Sequence, residues 1–338
     1  MKRFNVAIIG AGFIGWKRAK ALVKEEDSNL VVVTDIVKDK AKSLAKEFNI
    51  EAEFDWIKTV KRRDVDIVVV STVNKFLAPI TIAALTNGKH VVCEKPLGRN
   101  ARESNNILKA AENKDLVLKT GFNHRFHPAI AQAKLLLENN KIGNLCFLRC
   151  RYGHGGRPGY EKEWRTNKDL CGGGELLDQG VHVVDLFRWF AGDFSETFGY
   201  ISTYFWSTPV EDNAFAVFRN KNGITASMHT SWTQWKNLFS FEIFGTNGYL
   251  IVDGLGGSYG REILKIGIRK AEGGAPKEET IEFLGEDISW EQEWKELILA
   301  IKERREPLGN AWDGYQANKM IEAIYRSARI KKPVRIGN

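Results

Sequence analysis

Short, continuous apolar runs alternate with longer mixed segments through the first third of the chain. Phe4 to Ile9, Leu30 to Val33, Ile67 to Val70, Val91 to Cys93 and Leu116 to Lys119 read as strands. Between them, 16–24, 38–48, 79–87 and 100–113 read as helices. The strand runs do not alternate apolar with polar, which is the pattern of a strand buried on both faces. Strands and helices in strict alternation imply a doubly wound parallel sheet with helices on both sides. Beyond Gly121 the pattern changes. After a helix over 128–139, long segments at 146–152, 197–204, 213–218, 224–232, 239–244 and 249–252 read as strands. Turn signals such as Lys221-Asn222-Gly223 and Thr246-Asn247-Gly248 separate them, implying a large, mostly antiparallel sheet. One long helix over 175–190 interrupts it, and helices over 290–303 and 313–327 close the chain. The expected fold is α/β: a doubly wound parallel-sheet domain over 1–122, then an α/β domain with a large, mostly antiparallel sheet over 123–338.

A chain of 338 residues suits two domains, and 43% apolar with 27% charged residues is ordinary for a globular protein. The basic clusters Lys61-Arg62-Arg63 and Arg304-Arg305 are short and mixed with acids, so the formal charge of +8 reads as solvated helix faces. No basic patch interleaved with aromatics marks a nucleic-acid partner, and no apolar run is long enough for a membrane span. The apolar run after Met1-Lys2-Arg3 is too short for a leader, so a cytoplasmic location is expected. Cys93, Cys146, Cys150 and Cys171 form no C-x-x-C pair and are expected to be buried free thiols.

Gly10-x-Gly12-x-x-Gly15 follows a strand and opens a helix. In that context Gly10 allows the tight turn, Gly12 lets a pyrophosphate approach, and Gly15 lets helix and strand pack; the helix N-terminus then receives phosphate. Asp35 ends the second strand, where a carboxylate accepts hydrogen bonds from the adenosine ribose and repels a 2′-phosphate. NAD is therefore favoured over NADP, although Lys38 nearby keeps NADP open; a bare helix-capping role for Asp35 also stays open. Glu94-Lys95-Pro96 closes the fourth strand, at the sheet end where cofactors lie. There the Lys95 ammonium, its direction restricted by Pro96, suits a developing alkoxide, unless it is a surface lysine. The run Gly172 to Asp185 opens with three glycines, read as a pliable loop, and sets Asp178 and His182 four apart on one helix face. A carboxylate beside an imidazole raises its basicity and orients it. Gly180 between them leaves room for a flat ring. An incidental acid–histidine pair, or a metal pair joined by His154, is the alternative; no further ligand has a telling spacing, and no metal is expected. The loop 152–165 holds Arg157, Tyr160, Trp164 and Arg165, a composition suited to a sugar ring or an anionic group, or to an ordinary surface loop.

Together G-A-G-F-I-G, G-K-H-V-V-C-E-K-P (88–96), G-F-N-H-R-F-H-P (121–128), Lys141-Ile142-Gly143, the 172–185 run and Pro333-Val334 resemble the Gfo/Idh/MocA oxidoreductases over nearly the whole chain. The resemblance implies hydride transfer between a nicotinamide and a hydroxyl carbon of a sugar, cyclic polyol or sugar nucleotide. It implies Lys95, Asp178 and His182 as catalytic residues. It places Gly10, Gly12, Phe13, Ile14, Asp35, Lys38, Thr72, Asn74, Glu94, Lys95, Trp164 and Arg165 along the cofactor. Asn123, Arg157 and Tyr160 would join the catalytic three around the substrate. The open sheet would form a homodimer or homotetramer. A dinucleotide-binding sensor of the same fold is the alternative, as is an enzyme that keeps its cofactor bound between two substrates. One departure is plain: the family's histidine in the loop after the third strand is Leu77 here.

Overall fold

The computed structural model describes residues 3–337; Met1 and Lys2, at the head of the stretch weighed as a leader, lie outside them. The chain divides into two compact units. The first holds Met1–Asn123, Asp169–Gly172 and Trp290–Asn318, and the second His124–Lys168, Gly173–Ser289 and Lys319–Asn338.

The first unit runs β1 (Phe4–Ile9), α1 (Phe13–Leu22), β2 (Ser28–Thr34), α2 (Lys38–Phe48), β3 (Glu51–Glu53), α3 (Trp56–Val60), β4 (Ile67–Val70), α4 (Asn74–Thr86), β5 (His90–Glu94), α5 (Ala101–Ala111) and β6 (Leu118–Gly121). Its six strands pair in parallel in the order β3-β2-β1-β4-β5-β6. The direction of winding reverses between β1 and β4, which puts the topological switch point beside the glycine turn. Both faces of the sheet are buried: Val6, Ile8, Ile67 and Val69 on one, Ala7, Ile9, Val68 and Val70 on the other. This is why the strands read as continuous apolar runs. Leu77 lies wholly within the second of these cores, so the position that departs from the family pattern is a packing residue here.

The expected division at 122/123 needs amendment at its C-terminal side. Helices follow from α6 (Pro128–Glu138) through α7 (Lys168–Cys171), α8 (Glu175–Asp178), α9 (Gly180–Ala191), α10 (Ser289–Glu303) and α11 (Ala311–Ile330). Of these, α10 buries Trp294, Leu297, Ile298 and Ile301 against Val6, Ile8 and Leu30 of the Rossmann sheet. The Trp294 indole donates to Ser28 Oγ at 2.8 Å. Each such side chain contributes about 1.5–3 kcal/mol on burial, so the late helix is a structural part of the first unit.

The second unit carries the open sheet: β7 (Leu145–Gly153), β8 (Phe194–Ser202), β9 (Asn213–Asn220), β10 (Thr225–Ser231), β11 (Leu238–Gly245), β12 (Gly248–Asp253), β13 (Glu262–Ile268), β14 (Lys277–Phe283) and β15 (Val334–Arg335). Among the described residues its order is β14-β13-β12-β11-β7-β10-β9-β8-β15, antiparallel except between β7 and β10. One face is covered by α9, whose Phe187 packs on Phe218 and Phe241 at ring distances of 6.0 and 6.1 Å. The other face leaves Tyr200, Phe215 and Val217 exposed. Cys93, Cys150 and Cys171 are buried and form no disulfide, whereas Cys146 is exposed, beside the irregularity where the start of β7 pairs with β11.

Candidate active site

In the first unit, the end of β1 turns at Gly10, whose φ of 109° favours glycine. A Cβ there would lie 2.4 Å from the Ser71 carbonyl oxygen, so only glycine lets the β1 and β4 loops meet. A Cβ at Gly15 would lie 2.0 Å from the Gly10 carbonyl oxygen, while one at Gly12 would meet nothing within 4 Å. The turn is thus closed beneath and open above. Helix α1 starts at Phe13, with Gly12 as N-cap and no side chain capping its first amides. Phe13 and Ile36 stand 74% and 76% exposed beside this opening, an arrangement that suits the rings of a dinucleotide better than bulk water. Ile14 occupies the first turn of α1.

Asp35 faces the same turn. Its Oδ2 accepts the Ala11 N–H and its Oδ1 the Val37 N–H, each at 2.8 Å. An ionised carboxylate has about four acceptor positions, so these contacts fix the group and leave capacity for ribose hydroxyls. Lys38 is exposed, its ammonium 5.5 Å from the Phe54 ring centre. These residues fit an NAD site. Thr72 and Asn74 follow β4. The Asn74 side chain is buried and donates to the Cys171 carbonyl at 2.8 Å, so its amide serves the fold of the loop.

The carboxylate of Glu94, a residue expected along the cofactor, is taken up by an ion pair within the first unit. It is buried in a charge cluster, 2.6 Å from Arg18 of α1; Arg18 also donates to Glu293 of α10 at 2.5 Å. Burial pushes the Glu94 carboxyl up despite the Arg18 charge, and the Lys119 ammonium lies 3.9 Å from Glu293. The Arg18 guanidinium caps the Trp290 ring at 4.6 Å. The cluster fixes the strand end that carries Lys95, which is half-buried and joined to Pro96 by a cis peptide bond. Asn123 is buried at the start of a 3₁₀ turn after β6.

In the second unit, Asp178 and His182 do not share one continuous helix. The segment breaks at Gln179 between α8 and α9, and the His182 amide bonds the Gln179 carbonyl three residues back. The glycines before it are tightly packed rather than pliable. A Cβ at Gly173 would lie 2.2 Å from the Tyr325 hydroxyl, and one at Gly174 2.1 Å from the Glu211 carbonyl oxygen. The Glu211 carboxylate accepts the Gly174 and Leu176 amides at 3.0 and 3.2 Å and the Tyr325 hydroxyl at 2.6 Å, which pins the N-terminus of α8. At Gly180 the close neighbours are Leu176, Met228 and Thr230 side chains, so the missing side chain admits β10 rather than a flat ring.

Asp178 lies 3.4 Å from the Arg165 guanidinium, which covers the Trp164 ring at 4.7 Å. Arg157 is exposed and paired with Glu163 at 2.6 Å, 5.9 Å from the Tyr160 ring centre. Tyr160 is 2% exposed, and its hydroxyl has no hydrogen-bond partner among the described residues. Its phenol pKa is raised, by burial first and then by the Asp178 charge. His182 is buried and stacks on His124 at 3.7 Å, and His124 Nε2 lies 3.1 Å from the Tyr152 hydroxyl. The Tyr152 and Tyr259 phenols share a hydrogen bond, and Gln179 Nε2 donates to the Tyr259 oxygen at 2.6 Å. Burial pushes the Tyr259 phenol up to about 12. Sequence reasoning assigned no role to His124, Tyr152, Gln179 or Tyr259. The G-F-N-H-R-F-H-P run held a signal for His124; the separate tyrosines held none. Among the described residues no group of three His, Cys, Asp or Glu side chains is placed to hold a metal, and no helix is long and apolar enough to cross a membrane.

Comparison with known proteins agrees at both units. Residues 4–122 match the model of an oxidoreductase family with an NAD-binding Rossmann fold, and residues 130–251 match a GFO/IDH/MocA C-terminal domain. Levoglucosan dehydrogenase of Pseudarthrobacter phenanthrenivorans is 29% identical over 293 residues, 74% of each chain. Myo-inositol 2-dehydrogenase of Thermotoga maritima is 24% identical over 98% of each. A solved levoglucosan dehydrogenase in complex with NADH superposes with a TM-score of 0.93 at 26% identity, covering 100% of both chains.

Proposed function

Since the chain belongs to the Gfo/Idh/MocA family of NAD-binding oxidoreductases, we propose that it is a dehydrogenase of a sugar, cyclic polyol or sugar nucleotide, with Lys95, Asp178 and His182 as its catalytic residues. Bound NAD supplies the acceptor for the hydride that leaves the carbinol carbon. The His182 imidazole takes the hydroxyl proton. The Lys95 ammonium hydrogen-bonds the oxygen and stabilises the charge that develops there. Asp178 orients the imidazole, the substrate hydroxyl, or both. Tyr160, Arg157 and Asn123 are assigned to the substrate, and Trp164 and Arg165 to the nicotinamide end. The observation that carries this reading is a set of buried polar groups, centred on His182 and Tyr160, that the second unit gathers in one place. Relatives named for levoglucosan and myo-inositol supply the substrate class.

The test is NADH formation with a panel of inositols, aldoses, anhydrosugars and sugar nucleotides. At least one should turn over, and Lys95→Ala should lower kcat strongly while NAD binding, read by calorimetry, stays nearly intact. Equal loss of both rejects Lys95 as a catalytic group. Tight NAD binding with no turnover across the panel makes the protein a sensor.

The protein is further assigned to the cytoplasm and to a homodimer or homotetramer. The exposed sheet face supports the latter: Tyr200, Phe215 and Val217 lie there with the stacked Phe147–Phe244 pair. Val217→Lys should lower the mass read by light scattering; an unchanged mass removes this face from the interface.

A further inference from the structure

Beyond Tyr160, the second unit carries a line of aromatic rings that hydride transfer to NAD does not require. The Tyr160 ring lies 5.5 Å from Trp206, Trp206 lies 5.2 Å from Phe205, and Phe205 lies 4.7 Å from Trp235. The line begins at a buried hydroxyl that feels the Asp178 charge and ends at the surface. Phe205 is 61% exposed and Trp235 63%.

The exposed rings are held in place. The buried Asp212 carboxylate accepts three successive amides, of Tyr204 and Phe205 at 2.8 Å and of Trp206 at 3.0 Å. The Trp206 indole N–H donates to the Trp232 carbonyl at 3.0 Å. A Cβ at Gly156 would lie 2.4 Å from the Trp206 ring, so the neighbouring loop is shaped to that ring. Trp235 has a φ of 54°, in the left-handed region, which is costly for an aromatic residue. The Gln234 amide bonds the His154 carbonyl, tying this segment to the loop that carries Tyr160. Folding alone gives no reason to hold a tryptophan in a strained conformation with its ring in water. Such rings offer faces on which the C–H surface of a sugar or the face of an aryl group can stack.

Building on the proposed sugar dehydrogenase, we propose that Trp206, Phe205 and Trp235 form a stacking subsite for a second ring carried by the substrate. The preferred substrates are then glycosides, with either a second sugar or an aryl group as the added ring, rather than free monosaccharides.

Matched sets test this: glucose and galactose, each free, as the phenyl β-glycoside and as a β-1,4-linked disaccharide, assayed by NADH formation. A ring-bearing member should exceed its free sugar in kcat/KM by at least about tenfold, and the phenyl and disaccharide arms tell which ring is taken. Trp235→Gly and Phe205→Ala should each reduce that ratio to near unity. Glycine accepts the left-handed φ without strain, so Trp235→Gly should keep its Tm within a few degrees of the wild type, which a thermal scan checks before the kinetics are read. Saturation-transfer NMR of the phenyl glycoside on the NADH-loaded protein should lose its aryl signal in the same variants. An unchanged ratio in both variants overturns the proposal, as does a fall in oligomer mass with the ratio preserved, which would make the rings a subunit contact. Turnover confined to free sugars, inositols or anhydrosugars overturns the subsite alone. No turnover of any compound removes the dehydrogenase reading along with it.

Discussion

A charge cluster in the first unit and a group of neutral polar atoms in the second show two ways of burying polar side chains. In the first, Arg18, Glu94, Glu293 and Lys119 are buried together, with opposite charges within 2.5 to 3.9 Å of one another. In the second, the Tyr160 hydroxyl, Thr230 Oγ1, the Trp232 indole N–H and Gln179 Oε1 are buried without a hydrogen-bond partner among the described residues. A buried charge answered by an opposite charge belongs to the architecture. A buried neutral polar group left unanswered costs stability, and it persists where a ligand or water completes it. The contrast sets the ion-paired cluster beside Lys95 apart from groups such as the Tyr160 hydroxyl, which no described residue answers; the first unit holds such an atom too, Asn318 Oδ1.

The sharpest way to break this comparison is to remove Arg18. Arg18→Leu leaves Glu94 and Glu293 buried without their shared cation, and loss of one partner from a buried ion pair costs about 3–5 kcal/mol. Urea unfolding should show a loss of that size. Arg18→Lys should fall between, since a single ammonium cannot bridge two carboxylates as the planar guanidinium does. A loss below about 1 kcal/mol for Arg18→Leu would mean the cluster is hydrated and does not hold the strand end.

Tyr160→Phe probes the other side and should have the opposite signature. The hydroxyl has no hydrogen-bond partner among the described residues, so its removal should change stability by less than about 1 kcal/mol. The loss appears in catalysis instead: one neutral hydrogen bond to substrate is worth about 0.5–1.5 kcal/mol, or a two- to tenfold fall in kcat/KM. A large fall in urea stability with normal kinetics would return Tyr160 to the architecture and erase the distinction.

The same contrast explains what the chain disclosed before its structure was known. The parallel sheet was legible because strands such as Ile67–Val70 are buried on both faces and carry no polar residue. The glycine turn was legible because its geometry depends on the local backbone alone, and Asp35 faces it at the offset the motif sets. By contrast β14, KEETIEF, is an edge strand mostly exposed to water and so reads as charged, and β3 is three residues long. The return of α10 to the Rossmann core depends on Trp294 meeting Ser28, 266 residues away, which no local pattern encodes. The break at Gln179 was hidden because the apolar spacing continues through it. Glu94 was read by its motif as a cofactor neighbour, whereas its partner Arg18 carries no mark separating it from the other basic residues of α1. Tyr160 stood out by the company of Arg157, Trp164 and Arg165, but the Tyr152–Tyr259 pair comes from strand and loop positions whose meeting only the fold reveals.

The smallest effect concerns one half-buried histidine in each unit. Burial lowers the pKa of both His90 and His229 below the ordinary value of about 6.5. Because the folded-state value is depressed, each ring's contribution to stability is complete above the unfolded value and is lost as pH falls through about 6.5 toward the folded value. The two differ in what protonation does to the hydrogen bond. His90 Nδ1 accepts the Val117 N–H at 2.9 Å, a role that only the unprotonated nitrogen can fill. His229 Nε2 faces Asn213 Oδ1 at 2.9 Å and acts as donor, since the Asn213 amide nitrogen is already given to Asp212 and Thr233; that bond survives protonation. Urea midpoints measured from pH 8 to pH 5 should therefore fall in the wild type, flatten more in His90→Gln than in His229→Gln, and converge at the alkaline end. Equal flattening in the two variants would show that burial alone sets the slope and that the Val117 contact contributes nothing to it.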